Sequence, residues 1–309
     1  AECLVNLGDG CVLEGGTSLG SMAADTLAVL EVLGALPERY LILELSPSLQ
    51  QLQCDTLDRD VPHLRSRVEW LSQLPTDGFR GVLVGNELLD AMPVHRFRRC
   101  GDAWQELSVA VDNNGAFVDH WTELQSVGME QALAAIWPDP GEVVDGYSSE
   151  LNMRLAPWLR AVAESLTAGY VILIDYGYTQ REYYHAERSQ GTLICHFRHR
   201  AYADPYLLPG LADMTANVDF SALAHAALAQ GFELSGYTTQ VHFLIDNGLE
   251  QMLAASDPGR VKQHMGLMQG VKKLTLPGEM GERLKVMAFA RAVSPALSGF
   301  RSRDMRDRL

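Results

Sequence analysis

The chain is poor in cations and has no long apolar run. Lys and Arg number 25 against 39 Asp and Glu, giving a formal charge of −14 over 309 residues. A general binder of nucleic acid or of anionic membranes needs a positive footprint, so this balance argues against both partners. The most apolar stretch, Ala168–Ile174, is far shorter than the ~20 residues that span a bilayer, and no membrane insertion is expected. Five cysteines (Cys3, Cys11, Cys54, Cys100 and Cys195) are scattered, odd in number and without a CxxC pair. That usage fits free thiols in a reducing compartment rather than a disulfide framework. There is no initiator Met and the first basic residue is Arg39, so neither a signal nor a transit peptide is expected, since both need positive charge near their start. Internal repeats and low-complexity tracts are also lacking. With 47% apolar and 21% charged residues, the composition is that of a globular protein, with enough chain for one large domain or two modest ones.

What is present is an alternation of strand and helix. A short apolar run, Cys11–Leu13, meets a Gly-rich turn and a helical stretch from Ser21 to Leu36. YLILEL (Tyr40–Leu45) reads as a buried parallel strand, and Ser46-Pro47 opens a helix over Ser48–Leu57. Val68–Leu71, Gly81–Gly85 and Gly169–Gly177 read as further strands, the last with the apolar core of a strand buried on both faces. Phe220–Ala229 reads as helix, Phe232–Leu244 as extended chain, Leu249–Leu276 as mostly helix and Glu282–Val293 as a closing strand. This order predicts an α/β fold with a mostly parallel, doubly wound sheet. Two segments interrupt it. Residues 97–121 alternate with period two about Asn113–Gly115, predicting a β-hairpin. Residues 178–213 are aromatic, His/Arg-rich and without a sustained period, predicting an irregular insertion. The expected organisation is a single domain, with its core in 1–96 and 147–309 and both insertions on the substrate side.

Glu14-Gly15-Gly16-Thr17-Ser18-Leu19-Gly20 ends the first strand and opens a helix. Small residues there let the backbone approach a ligand and aim amide groups at it. Glu44 lies at the end of the next strand, where an acid can accept both hydroxyls of a ribose. Such a site suits NAD or S-adenosylmethionine (SAM). The turn lacks a clean GxGxxG spacing, and polar residues crowd the other strand ends (Asn86-Glu87, Asp175-Tyr176), which favours SAM.

Long stretches of the chain then point to a family. The turn from Glu14 to Asp25, YLILELSPSLQ, GVLVGNELLDAMPVHRF, GYVILIDYGYTQREYYH, GTLICHFRHRAYADPYLLPGLADMTANVDF and GEMGERLKVMAFAR together resemble the MidA family. These are bacterial relatives of the mitochondrial complex I assembly methyltransferase, and the resemblance runs from Leu13 to about Val293. It implies a Rossmann-like class I SAM methyltransferase with a sheet of about seven strands. It also implies a protein substrate, in the mitochondrial branch an arginine of a respiratory complex subunit. The expected location is the cytoplasm in a bacterium or the mitochondrial matrix in a eukaryote. Cofactor-binding candidates are Glu14, Gly16, Ser18, Gly20, Glu44 and Asn86. The family turn reads Glu-x-Gly-x-Gly-x-Gly, and here Ser18 stands at the middle glycine. Measured against the family, a segment before the first strand is expected to be absent.

Methyl transfer from a sulfonium is an in-line displacement, so the protein's task is to position the nucleophile and manage its charge. A guanidinium stays protonated, and carboxylates are what clamp it. Glu87 and Asp90, three residues apart, would share a face of one helical turn and are expected to form the clamp. The alternative is that Asp90 braces the turn while Glu87 contacts the cofactor. Asp175, Tyr176 and Tyr178 are expected to line the substrate side, with the tyrosine rings able to stack on a guanidinium. Cys195, His196, His199 and His185 raise a zinc reading, but the spacing lacks a second thiolate pair and no metal is expected. The rival to a SAM-dependent protein methyltransferase is a non-catalytic assembly or binding protein that keeps the fold. Ser18 and a missing lead-in segment would favour that rival, and an NAD-dependent oxidoreductase is the third reading.

Overall fold

The main sheet of the computed structural model, which describes residues 1–198 and 200–309, has eight strands, seven of which form one continuous path. These seven are β1 (Cys11–Gly15), β2 (Tyr40–Leu43), β3 (Val68–Leu71), β4 (Phe79–Asn86), β5 (Leu166–Tyr178), β6 (Glu233–Thr239) and β7 (Leu284–Arg291). Their order is β3-β2-β1-β4-β5-β7-β6. Strands β1 to β5 pair in parallel, and β7 runs antiparallel to both β5 and β6. This is the doubly wound, Rossmann-like arrangement expected from the alternation of elements. Strand order reverses at β1, between β2 and β4, and the carboxyl ends there are where open α/β sheets bind ligands.

The chain divides into two compact units, residues 1–88, 158–177 and 224–309 forming one and residues 89–157 and 178–223 the other. The seven strands of the continuous path lie in the first, β5 as far as Gly177. Helix α1 (Ser21–Val32) follows β1, and α2 (Pro47–Asp60) follows β2. Ala23, Ala24, Leu27 and Leu30 form the buried stripe of α1, at the spacing of one helical face. They pack with Val12, Tyr40, Ile42, Leu57 and Val82 in one apolar cluster. Leu27 and Leu57 are fully buried, and each such side chain is worth about 2–3 kcal/mol of burial free energy. Helix α2 starts on Pro47, whose fixed φ suits a first turn, and the Ser46 hydroxyl accepts the Leu49 amide.

In the second unit, strands over 117–123, 103–111, 95–100 and 148–151 form an antiparallel sheet in that order. The expected hairpin lies between the first two of these. Its turn is held by the Asp112 carboxylate, which accepts the amides of Asn114 and Ala116, both at 2.8 Å. Phe97 is the centre of the core, with Trp104 and Trp137 edge-on at 5.4 and 5.7 Å. Segments 97–121 and 178–213 both fall in this unit. The second is more regular than expected: it carries a short helix, Gln180–Tyr183, and a three-stranded sheet of 194–197, 200–202 and 213–215. Strands of three or four residues are too short for a period to show in sequence. Nearby, the fully buried Glu150 carboxylate accepts the Thr192 and Leu193 amides at 2.8 and 3.4 Å, which fixes the loop after Gly191. Burial nevertheless raises its pKa.

One expected strand is shorter. Phe232–Leu244 is extended only to Thr239, and Gln240–Asp246 is helical. The apolar residues Val241, Phe243 and Leu244 carry no strict alternation, and the Thr239 hydroxyl, 2.7 Å from His242 Nδ1, marks the change of direction.

Candidate active site

The Gly-rich turn is built on a buried acid. Glu14 sits in β1 with its side chain on the same face as Tyr40 of β2, because Val12 pairs with Tyr40. The Tyr40 hydroxyl donates to Glu14 Oε2 at 2.5 Å. Burial raises the Glu14 pKa, and the tyrosine's hydrogen bond opposes that rise. Beyond it, Gly16 has φ +76° and Gly20 φ +83°, left-handed values that favour glycine. Ser18 is not among the residues of positive φ. The family's middle glycine is therefore not needed for its backbone freedom in this turn, and Ser18 gives no reason to expect a broken one.

Glycine also makes room for Leu88. A Cβ on Gly16 would lie 3.4 Å from Leu88 Cβ, and one on Gly85 only 2.9 Å from Leu88 Cδ2. Leu88 thus packs over the ends of β1 and β4. With Gly15, Gly16, Leu43, Glu44, Leu45, Leu74 and Trp158 it lines a cavity of about 280 Å³ at the carboxyl edge of the sheet. The lining is apolar apart from the glycine backbone and one carboxylate, as in most cofactor sites.

That carboxylate belongs to Glu44, one residue past β2, where the sequence places the ribose acid. Its Oε1 accepts the Ser46 amide at 2.8 Å and its Oε2 accepts Gln53 Nε2 at 3.3 Å. The Ser46 contact is the helix-start interaction of an acid, and it coexists with the cavity position. Asn86 ends β4, and its carbonyl lies 3.5 Å from the place a Gly16 Cβ would take.

Glu87 follows with φ +49° and an exposed side chain. Its amide donates to the Ile174 carbonyl at 2.9 Å. The next amide, Leu88, donates to Asp175 Oδ2 at 3.1 Å. Asp175 is buried at 1% exposure, and its Oδ1 accepts the Tyr176 amide at 2.9 Å. Its carboxylate is thus engaged in holding the loop after β4. Tyr176 carries the Arg283 guanidinium over its ring at 5.8 Å.

Two expected site residues belong to the second unit. Asp90 is buried there, in a turn closed by the Met92 amide on the Leu89 carbonyl at 3.1 Å, and its own carbonyl accepts the Ala216 amide at 3.0 Å. No helical turn joins Glu87 to Asp90: the chain bends at Glu87 and Leu89 and enters a turn at Asp90. The left-handed Glu87 and the Leu89–Met92 turn replace the helical geometry the spacing suggested. Tyr178 does stack on a guanidinium, that of Arg188 at 4.1 Å. Of the residues weighed for zinc, Cys195 is buried in a strand paired with Tyr202 and Met214, and His199 lies outside the described residues. Among the described residues no group of three or more His, Cys, Asp or Glu gathers to hold a metal, and no helix is long and apolar enough to cross a membrane.

Sequence reasoning passed over Gln53. It lies on α2, fully buried, with Nε2 2.8 Å from the Thr17 carbonyl and 3.2 Å from that of Ser18, while Oε1 accepts the Trp70 indole N–H at 2.8 Å. A signal was available: Gln53, Thr56 and Leu57 are the buried positions of α2, and a long polar side chain on a buried stripe must find partners.

The chain is similar to known proteins over most of its length. Residues 5–238 match the family described as "Putative S-adenosyl-L-methionine-dependent methyltransferase". A protein from Burkholderia thailandensis solved with S-adenosyl-homocysteine bound shares 39% identity and superposes with a TM-score of 0.94, over 100% of this chain and 78% of that one. The mitochondrial protein arginine methyltransferase NDUFAF7 of Homo sapiens is 28% identical over 316 residues, covering 90% of this chain and 65% of its own. Its homolog in Drosophila melanogaster is 28% identical over 303 residues, covering 90% and 66%. The chain thus spans just under two thirds of the length of these curated relatives.

Proposed function

The chain belongs to this S-adenosyl-L-methionine-dependent methyltransferase family, and on that premise we propose that it transfers a methyl group from SAM to a protein, at an arginine side chain. The observation that carries the proposal is the cavity at the carboxyl ends of β1, β2 and β4, where left-handed Gly16 and the Glu44 carboxylate share one lining. SAM is the cofactor, and the residues fit it. Glu44 offers acceptors for ribose hydroxyls, Leu43, Leu45, Leu74 and Trp158 offer apolar walls for a base, and the Gly16 backbone allows close approach.

When bound, SAM supplies an electrophilic methyl group. The chain's own residues do the rest. The arginine target is supported by the names of the curated relatives and by the chemistry of the exposed acid Glu87, which is held on two anchored amides just beyond the cavity-lining β4 edge. A carboxylate there can take a guanidinium bidentately and keep its charge on the far nitrogens, orienting the nitrogen that receives the methyl. Tyr176 is the proposed aromatic surface on the substrate side. A respiratory complex subunit is the proposed substrate class.

The test is methylation of a cell extract with labelled SAM, followed by mass spectrometry of the labelled proteins. Label on arginine that disappears with Glu87→Gln supports the proposal, and label confined to another residue type overturns the arginine assignment. Failure of S-adenosylhomocysteine to raise the melting temperature would overturn the cofactor reading itself, because a ligand selective for the folded state must stabilise it.

A further inference from the structure

We infer that Gln53 is a positioning residue of the cofactor site, a single buried amide that locks the Gly-rich turn and the ribose acid into one geometry. The inference rests on the SAM reading of the cavity. It goes beyond that reading because Gln53 is not among the residues lining the cavity.

The chemistry of the partners fixes the orientation of the amide. An indole N–H can only donate, so the atom facing Trp70 at 2.8 Å is the carbonyl oxygen. Peptide carbonyls can only accept, so the atom facing Thr17 and Ser18 at 2.8 and 3.2 Å is the nitrogen. The same nitrogen reaches Glu44 Oε2 at 3.3 Å. Its two hydrogens thus serve three acceptors, two from the turn and one from the acid. The turn is also pressed against this point of the helix: a Cβ on Gly20 would meet Gln53 Cα at 3.0 Å.

No other standard side chain provides this set. Glutamate would set a carboxylate against two carbonyls and a second carboxylate. Asparagine is one methylene too short to span Trp70 and the turn together. Methionine has the length but leaves two turn carbonyls and an indole N–H without this partner. A buried polar group left so is penalised in its own right. Because the links are in series, a change at Glu44 passes through the amide to the Trp70 N–H, as hydrogen-bonded chains polarise one another. Ribose hydroxyls arriving at Glu44 compete for the oxygen that Gln53 holds. Binding at the cavity is therefore felt at Trp70, on β3.

The experiment measures S-adenosylhomocysteine affinity by calorimetry and follows the indole N–H resonances by nitrogen-15 NMR, assigning Trp70 by its loss in Trp70→Phe. In the parent protein the Trp70 resonance moves on ligand addition. Gln53→Met, studied at a temperature where circular dichroism shows it folded, binds at least tenfold more weakly and its Trp70 resonance stays still. Trp70→Phe, which keeps the amide and frees its oxygen, weakens binding about threefold and serves if Gln53→Met does not fold. Normal affinity in either folded variant, even with a lowered melting temperature, overturns the inference by showing that Gln53 is only structural. A parent protein that binds the ligand with a stationary Trp70 resonance overturns it too. If the parent does not bind S-adenosylhomocysteine at all, the SAM reading fails instead.

Discussion

The Asp175 carboxylate, at the end of β5, takes the Leu88 amide at 3.1 Å, and this bond fixes the loop that leaves β4. The preceding amide, that of Glu87, is held by the Ile174 carbonyl at 2.9 Å. Two consecutive amides are thus tied to the neighbouring strand, and Glu87 between them is held at φ +49°. Left-handed backbone in a residue with a Cβ costs on the order of 1 kcal/mol and persists where surrounding bonds over-determine it. Asp175, expected to line the substrate side, is buried and holds the loop that carries Glu87, the proposed clamp acid.

Glu87→Gly separates strain from chemistry. Glycine adopts this φ freely, and that gain offsets its larger entropy loss on folding. Stability is expected to stay within about 0.5 kcal/mol of the parent, where an exposed Glu→Gly change at ordinary φ costs about 1 kcal/mol. Methyl transfer is expected to be lost with S-adenosylhomocysteine affinity kept. Urea unfolding and single-turnover methylation check the two halves, and normal turnover in the variant would remove Glu87 from the clamp.

Gly16→Ala is expected to behave in the opposite way. At φ +76°, with Leu88 Cβ 3.4 Å from the new methyl, it introduces strain of about 1–2 kcal/mol into the cavity wall itself. The melting temperature should fall and S-adenosylhomocysteine affinity with it. Ser18→Gly, at a position without positive φ, should leave that affinity unchanged. A gain in affinity from Ser18→Gly would show that serine does compromise the turn.

Glu44→Ala removes the proposed ribose acceptor and the partner of the Ser46 amide together. Charge-assisted hydrogen bonds to hydroxyls are worth roughly 1.5–3 kcal/mol, so affinity for S-adenosylhomocysteine should fall by at least ~10-fold. Stability should fall by only about 1 kcal/mol, as for loss of a helix-start contact. Unchanged affinity in calorimetry would move the ribose elsewhere.

How much of this was legible in sequence follows from the range of the interactions. Buried parallel strands announce themselves as apolar runs, so Tyr40–Leu43 and the centre of β5 were readable, as was the acid that follows β2. Glycines with left-handed φ were readable as a Gly-rich turn. The φ of Glu87 was not, because it is imposed by Ile174 and Asp175 from a strand more than 80 residues away. The same holds for Gln53, whose partners Thr17, Ser18, Glu44 and Trp70 come from three separate loops and strands. The period of three between Glu87 and Asp90 suggested a helix only because long-range pinning is invisible in a local pattern.

The second unit carries its own pH sensor of stability, in Glu106. Burial alone would raise the pKa of this carboxyl, but the Ser126 hydroxyl at 2.6 Å, His95 Nδ1 at 2.9 Å and the Gln125 and Ser126 amides at 2.8 and 2.9 Å outweigh it. The pKa is held at about 2, against an ordinary 4.5. A carboxyl whose folded pKa is depressed stabilises fully above its unfolded value and loses that contribution as pH falls through the folded one. Allowing for solvent screening, the contribution is on the order of 1–2 kcal/mol. Glu106→Gln keeps the shape but accepts less strongly, so it should be less stable than the parent by that amount at pH 7. The gap should hold down to pH 4.5 and close between pH 4.5 and 2, where the unfolded chain takes up a proton that the folded carboxylate resists until about pH 2. Denaturant unfolding of both proteins across this range, followed by near-ultraviolet circular dichroism, measures the gap directly. A difference that stays constant to pH 2 would mean that packing, not the ionised carboxylate, is what Glu106 contributes.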